Sequence, residues 1–247
     1  MPVVHLQPGP TLTVRGQARL LLPGVALLGV LLLGAPEGVQ ASRPLPKVAD
    51  VPSRPAFVRP PGDQERSARV GQRLPGRSLL RTQRPGRMQV DLPNGRSFRL
   101  GGDAVVRLSA SALDLERGQL IAWINPGRQG GGPLRVRTRV GTASIEGTTV
   151  FLEVEAERVL VFSWEGRVRV TLEPEGAGKA EDVWLASGEQ LTYQNGAWQP
   201  PRRLGREEAQ RRRRSSILLN GFTAAMPTLP VIEQELEALE PAGPDGR

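Results

Sequence analysis

The chain has 247 residues, no cysteine and one histidine, His5; 33 basic against 25 acidic side chains give a formal charge of +8. Without cysteine there is no disulfide, no thiolate nucleophile and no thiolate metal site. If His5 leaves with a leader, metal and nucleophile-plus-base designs built on histidine go too, so the expectation is a protein that is not an enzyme and uses no cofactor and no metal.

Residues 1–41 have the pattern of a secretory signal. Arg15 and Arg19 precede an apolar stretch at 20–35, interrupted by Pro23, and Val39 and Ala41 suit cleavage before Ser42. The stretch is marginal for a bilayer span. The expected location is therefore the periplasm or the medium, with an uncleaved membrane anchor as the alternative.

Residues 42–67 hold Pro44, Pro46, Pro52, Pro55, Pro60 and Pro61. Proline fixes φ and withholds a donor, so this segment reads as an extended linker.

Residues 68–199 read as a β domain, because short runs of strand formers alternate with turn residues. Runs at 78–82, 87–92, 97–100, 104–108, 113–116 and 119–124 follow one another, with turns at Pro93-Asn94-Gly95 and at Arg117-Gly118. Asn-Gly tolerates the positive φ of tight hairpins. Residues 125–133 (NPGRQGGGP) read as a loop. Three alternating runs follow at 135–140, 150–155 and 159–170; the last is expected to be a hairpin across Glu165-Gly166. Residues 173–180 read as a glycine-rich loop, and 183–186 with 190–193 as a closing hairpin across Ser187-Gly188. The fold expected is all-β, a jelly-roll-like or partly solenoidal antiparallel sandwich.

Residues 200–247 form a tail with helical patterning. Residues 204–222 are charged first and apolar later, with Asn220-Gly221 as a stop. A short acidic helix follows Thr228, with Ile232, Leu236 and Leu239 at helical spacing.

Arginine dominates the candidate binding residues, since Lys47 and Lys179 are the only lysines. Such a balance suits nucleic acid, anionic lipid or an acidic polymer, and export argues against nucleic acid. Arg135, Arg137 and Arg139 alternate toward one sheet face, as do Arg167 and Arg169. If their strands are neighbours, five guanidiniums share a surface that pairs carboxylates or phosphates. Arg211, Arg212, Arg213 and Arg214 are either a solvated helix face or a docking site for a partner or membrane surface. Trp198, past a turn, is the best exposed aromatic. Glu146, Glu153, Glu155 and Glu165 read as a polar sheet face rather than as an acid/base pair.

The β domain resembles the FecR periplasmic domain. The resemblance lies in 76–82 (GRSLLRT), 86–99 (GRMQVDLPNGRSFR), 115–120 (LERGQL), 136–154 (VRTRVGTASIEGTTVFLEV), 164–170 (WEGRVRV) and 185–190 (LASGEQ), in the family's order. It implies an exported β scaffold in which Thr138, Gly147 and Thr148 are structural, and it carries over no catalytic residue. Sigma-regulating members carry a cytoplasmic helical domain before the membrane segment and a second small domain at the end. Here 19 residues precede Leu20, and the tail reads as helical. The function expected is an exported binding or scaffold module for an envelope protein or anionic glycan, with a reduced, membrane-anchored signalling regulator as the alternative. Contact with a membrane is expected only through an uncleaved N-terminus or the basic helix.

Overall fold

The computed structural model describes residues 44–127, 132–173 and 179–241. The expected signal segment, and parts of the loops expected at 125–133 and 173–180, lie outside the described residues.

The proline-rich segment differs from a spacer: it supplies β1 (Lys47–Ser53), β2 (Ala56–Arg59) and β3 (Arg66–Ser67). The prolines are accommodated because most fall outside the strands, and Pro52 falls where the register of β1 against β5 shifts, the kind of irregularity at which a residue without a donor is tolerated.

The domain continues with β4 (Leu79–Thr82), β5 (Arg87–Leu92), β6 (Arg96–Leu108) and β7 (Ala112–Ile124). Asn94 and Gly95 turn β5 into β6 with φ of 64° and 69°, as Asn-Gly predicts. The glycines at 101–102 and the Arg117-Gly118 step do not end strands. They sit opposite each other as a bulge inside the long β6–β7 pair. Gly118 has φ +85°, and a Cβ there would lie 2.3 Å from the Ala104 backbone, so only glycine lets the two strands bend together here.

Next come β8 (Leu134–Arg137), β9 (Gly141–Ile145), β10 (Thr149–Val154), β11 (Arg158–Glu165), β12 (Val168–Leu172), β13 (Glu181–Leu185), β14 (Glu189–Gln194), β15 (Ala197–Trp198) and β16 (Arg202–Arg203). The main strand order is β13-β12-β9-β8-β7-β10-β11-β14-β15. The pairs are antiparallel except β7 with β8, where Ala112 meets Arg135 in parallel. The mixed sheet doubles over without closing into a barrel. Val136, Ile145, Val168, Val170 and Leu185 from one half share a core with Leu152, Val154, Val159, Val161 and Leu191 from the other.

Two expected hairpins are corrected. β11 pairs with β10 and β14, whereas β12 pairs with β9 and β13. Both edges of β11 are already filled, so Gly166 carries the chain across the core to the other layer. Ser187-Gly188 does the same between β13 and β14, and Glu146-Gly147-Thr148 between β9 and β10. The three crossings stack: Gly166 N donates to Ser187 Oγ at 2.9 Å, and Gly188 N donates to the Ser163 carbonyl at 2.9 Å. This is the partly solenoidal element of the fold.

The tail forms α1 (Arg206–Ser215), α2 (Ile217–Asn220) and α3 (Leu229–Ala238). These helices cover the outer face of the sheet. Ile121, Trp123, Phe151, Leu160, Phe162 and Trp164 form a second core with Leu218, Leu219, Ile232, Leu236 and Leu239. Burying one such side chain contributes about 1.5–3 kcal/mol, so apolar contact is the main force holding the tail down. Polar contacts set its position. Arg99 is 1% exposed; its Nη1 donates to the carbonyls of Leu218 (2.9 Å) and Leu219 (3.2 Å), and its Nη2 to that of Ala224 (2.6 Å). Burial pushes its guanidinium down to about 10, opposed by the Asp50 charge. Asp50 in turn accepts from Thr223 N (2.7 Å), Thr223 Oγ1 (2.9 Å) and Ala224 N (2.9 Å). Desolvation raises the Asp50 carboxyl, but these hydrogen bonds outweigh it and hold it below 3.8. No helix among the described residues is long and apolar enough to cross a membrane.

Candidate ligand-binding face

Strands β8, β9, β12 and β13 lie side by side, and their register decides which side chains meet. Arg135 stands opposite Ser144, Ser144 opposite Arg169, and Arg169 opposite Trp184. One pair along, Arg137 meets Thr142, Thr142 meets Thr171, and Thr171 meets Asp182. The alternate residues Val136, Ala143, Val168 and Val170 point into the sandwich. Period-2 alternation therefore turns both rows outward. All of these but Trp184, which stands beyond its edge, line an open cavity of about 560 Å³, bordered by Ser111 and Ala112 on one side and by Glu173 and Ala180 on the other.

The charges on this face are only partly balanced. Arg137 Nε lies 3.1 Å from Asp114 Oδ1, which is placed by a hydrogen bond from Ser109 Oγ to its other oxygen. Arg169 Nη1 lies 3.5 Å from Asp182 Oδ2, and Thr171 Oγ1 donates to Asp182 Oδ1 at 2.6 Å. Both are exposed pairs, worth less than about 1 kcal/mol, and each leaves most of the five guanidinium donors free. The Nε of Arg169 has no hydrogen-bond partner. Arg135 forms no ion pair with a described residue. Ser144 is covered between the two arginines and makes a small floor, so the row reads cation, dip, cation, indole. Trp184 is 46% exposed, and the Arg167 guanidinium stands 4.8 Å from its ring centre.

The structure brings Arg135, Arg137, Arg167 and Arg169 to one region, and leaves Arg139 aside, where its Nη1 donates to the Glu155 carbonyl at 2.7 Å. Trp198 packs against the sandwich core, edge-on to Tyr193 at 5.4 Å. The arginine run divides. Arg211 stands 3.7 Å from Glu207 in solvent. Arg212 turns inward, 4.3 Å from the Phe162 ring centre and 5.1 Å from that of Phe151, and burial pushes it down to about 10. Arg213 donates to Asn220 Oδ1 and to Glu233 Oε1, both at 2.6 Å. Arg214 is exposed at the end of α1, and none of the four lines the cavity. Thr142, Ser144 and Thr171 are residues that sequence reasoning did not select, and among the tryptophans able to stack on a sugar it put Trp198 ahead of Trp184. Only the pairing of β13 with β12 shows that an indole joins the arginines.

A second cavity, also about 560 Å³, lies at the crossings between layers and is lined by Arg96, Asn125, Glu146, Glu165 and Thr228. Its buried carboxylate is used internally: Thr149 Oγ1 donates to Glu165 Oε1 at 2.9 Å and lies 2.8 Å from Thr228 Oγ1. This joins a crossing to the tail. Among the described residues no cluster of three or more His, Asp or Glu side chains is placed to hold a metal.

Residues 78–169 match the model of the FecR protein family, so the chain carries a FecR-type domain, running from the start of β4 into β12. Two crystal structures of a provisionally named anti-sigma factor from Parabacteroides distasonis are similar. One shares 25% identity over 47% of this chain and 55% of that one, with a TM-score of 0.39. The other shares 24% over 51% and 59%, with a TM-score of 0.42. The match thus spans little more than half the length of those chains. No curated protein sequence matches this one.

Proposed function

We propose that this chain is an exported FecR-type regulator whose β domain is a non-catalytic recognition module for an anionic ligand of the cell envelope. The observation that carries the reading is the outward row of Arg135 and Arg169 flanking Ser144, beside Arg137. These arginines are not needed to close the core, which is built from the alternate residues of the same strands. Their planar forks suit carboxylate or phosphate, and the sheet beneath holds them in register before any ligand arrives, which lowers the cost of binding. The regulatory half of the reading rests on the FecR match. On this reading the module works outside the cytoplasm with residues 1–41 removed, and signalling falls to a partner that senses the occupied domain.

Titration of the purified full chain with an anionic polysaccharide tests the recognition half. Binding is expected to weaken as salt rises from low to physiological ionic strength, where the Debye length is about 8 Å. It is expected to fall more than tenfold in the Arg135→Gln/Arg169→Gln double variant at unchanged melting temperature. Binding indifferent to both salt and substitution would overturn the assignment of this face.

A further inference from the structure

We infer, building on that reading, that the ligand of this face is an acidic glycan lying across the strands rather than a free anion. Neighbouring strands are about 4.8 Å apart. Arg135 and Arg169, two strands apart, are therefore separated by roughly 10 Å at the backbone, and Trp184, one strand further, lies roughly 14 Å from Arg135. A site for one phosphate or one small carboxylate gathers its donors on a single point. Here the cations are spread along a line, with the small floor of Ser144 between them. A second, parallel row offers Arg137 and the hydroxyl of Thr142, and ends on Thr171, whose hydroxyl donates to Asp182.

The end of the line gives the ligand its class. Tryptophan is among the more buried residue types on average, yet Trp184 is nearly half exposed, while Trp123 and Trp164 of the same domain are 1% exposed. Arg167 stands over the Trp184 ring and holds the indole beside the row. A sugar ring presents an apolar C–H face that packs on an indole, and its hydroxyls bond to threonines. Carboxylates repeating along a uronic-acid chain meet guanidiniums two at a time. A polyphosphate would match the cations but give Trp184 nothing to do. A protein partner needs a central apolar cluster, and Trp184 is the only large exposed hydrophobic side chain on this face among the described residues.

Calorimetry on the full chain distinguishes these cases, with polygalacturonate oligosaccharides, their methyl-esterified forms and inorganic polyphosphate as probes. Polygalacturonate is expected to bind, and esterification to weaken it at least tenfold. Arg169→Gln is expected to weaken both anions. Trp184→Ala is expected to weaken polygalacturonate about tenfold, equivalent to 1.4 kcal/mol, and to weaken polyphosphate less, while Trp184→Phe retains part of the glycan binding. If polyphosphate binds as well as polygalacturonate and Trp184→Ala affects neither, the glycan inference falls and the anionic face stands. If neither anion binds, both fall.

Discussion

Glu165 shows how a carboxylate that looks like surface charge in the sequence becomes a structural group. It ends β11 inside the crossing, 6% exposed. Burial pushes its carboxyl above 4.5; the Thr149 hydroxyl draws it back, and the Glu235 charge adds to the rise. A carboxyl raised in the folded state favours the protonated form. Its contribution to stability is complete below the ordinary value of 4.5 and is lost as pH rises through the folded value. Glu165→Gln keeps an oxygen for Thr149 and removes the charge. It is expected to raise the melting temperature at pH 7 by about 2–4 °C per kcal/mol relieved, with the gain vanishing below about pH 4. Coincident melting curves at pH 7 would contradict this account. At the same scale, the arginines at 135, 137, 167 and 169 were legible as an alternating set, but which strands stand beside them was not. Arg99 and Arg212 carried no local mark of burial. The aromatic rings and carbonyls that receive them come from segments about a hundred residues away, or from strands whose second face looked exposed.

Turns and periods were legible at the level of elements, and partners were not. Glu-Gly and Ser-Gly steps have the same local chemistry whether the chain folds back beside itself or crosses to the opposite layer. The choice is made by free edges: β11 had none left for β12. The bulged β6–β7 pair misleads in the other direction, since glycines that punctuate a sequence here bend two continuous strands. The tail shows a third case. Its apolar spacing announced amphipathic helices, but α2 has four residues, too short to persist alone. Its last carbonyls are satisfied by Arg99 from β6. Arg99→Met removes those donors and leaves carbonyls buried without partners. It is expected to cost about 3 kcal/mol in urea unfolding and to speed amide exchange across residues 217–224 more than in the sandwich. A loss below about 0.5 kcal/mol, the usual range for surface changes, would show that apolar contact alone places the tail.

For the molecule as a whole, composition marked the limits of function better than function itself. Lack of cysteine and near-lack of histidine were visible at once, and the all-β class followed from turn spacing. The net charge of +8 overstates what a ligand meets, because Arg99 and Arg212 are consumed inside the tail interface and eleven other described arginines stand within ion-pairing distance of a carboxylate. Export is argued at this scale, from residues 1–41. N-terminal sequencing of protein from fractionated cells is expected to begin at Ser42 in the soluble periplasmic or secreted fraction. An intact N-terminus in the inner membrane would assign the chain to the anchored form of regulator instead.

The bond from Arg99 to the Leu218 carbonyl closes 119 residues of chain, and that from Thr223 to Asp50 closes 173. Chains grow from the N-terminus, so the sandwich can assemble while its aromatic outer face is still bare. Ile121, Trp123, Phe151, Leu160, Phe162 and Trp164 wait for a cover encoded after residue 203. Exposed apolar surface of that kind invites aggregation. A chain released before Leu239 therefore leaves part of this aromatic face open to its neighbours, which the packed helices otherwise keep apart.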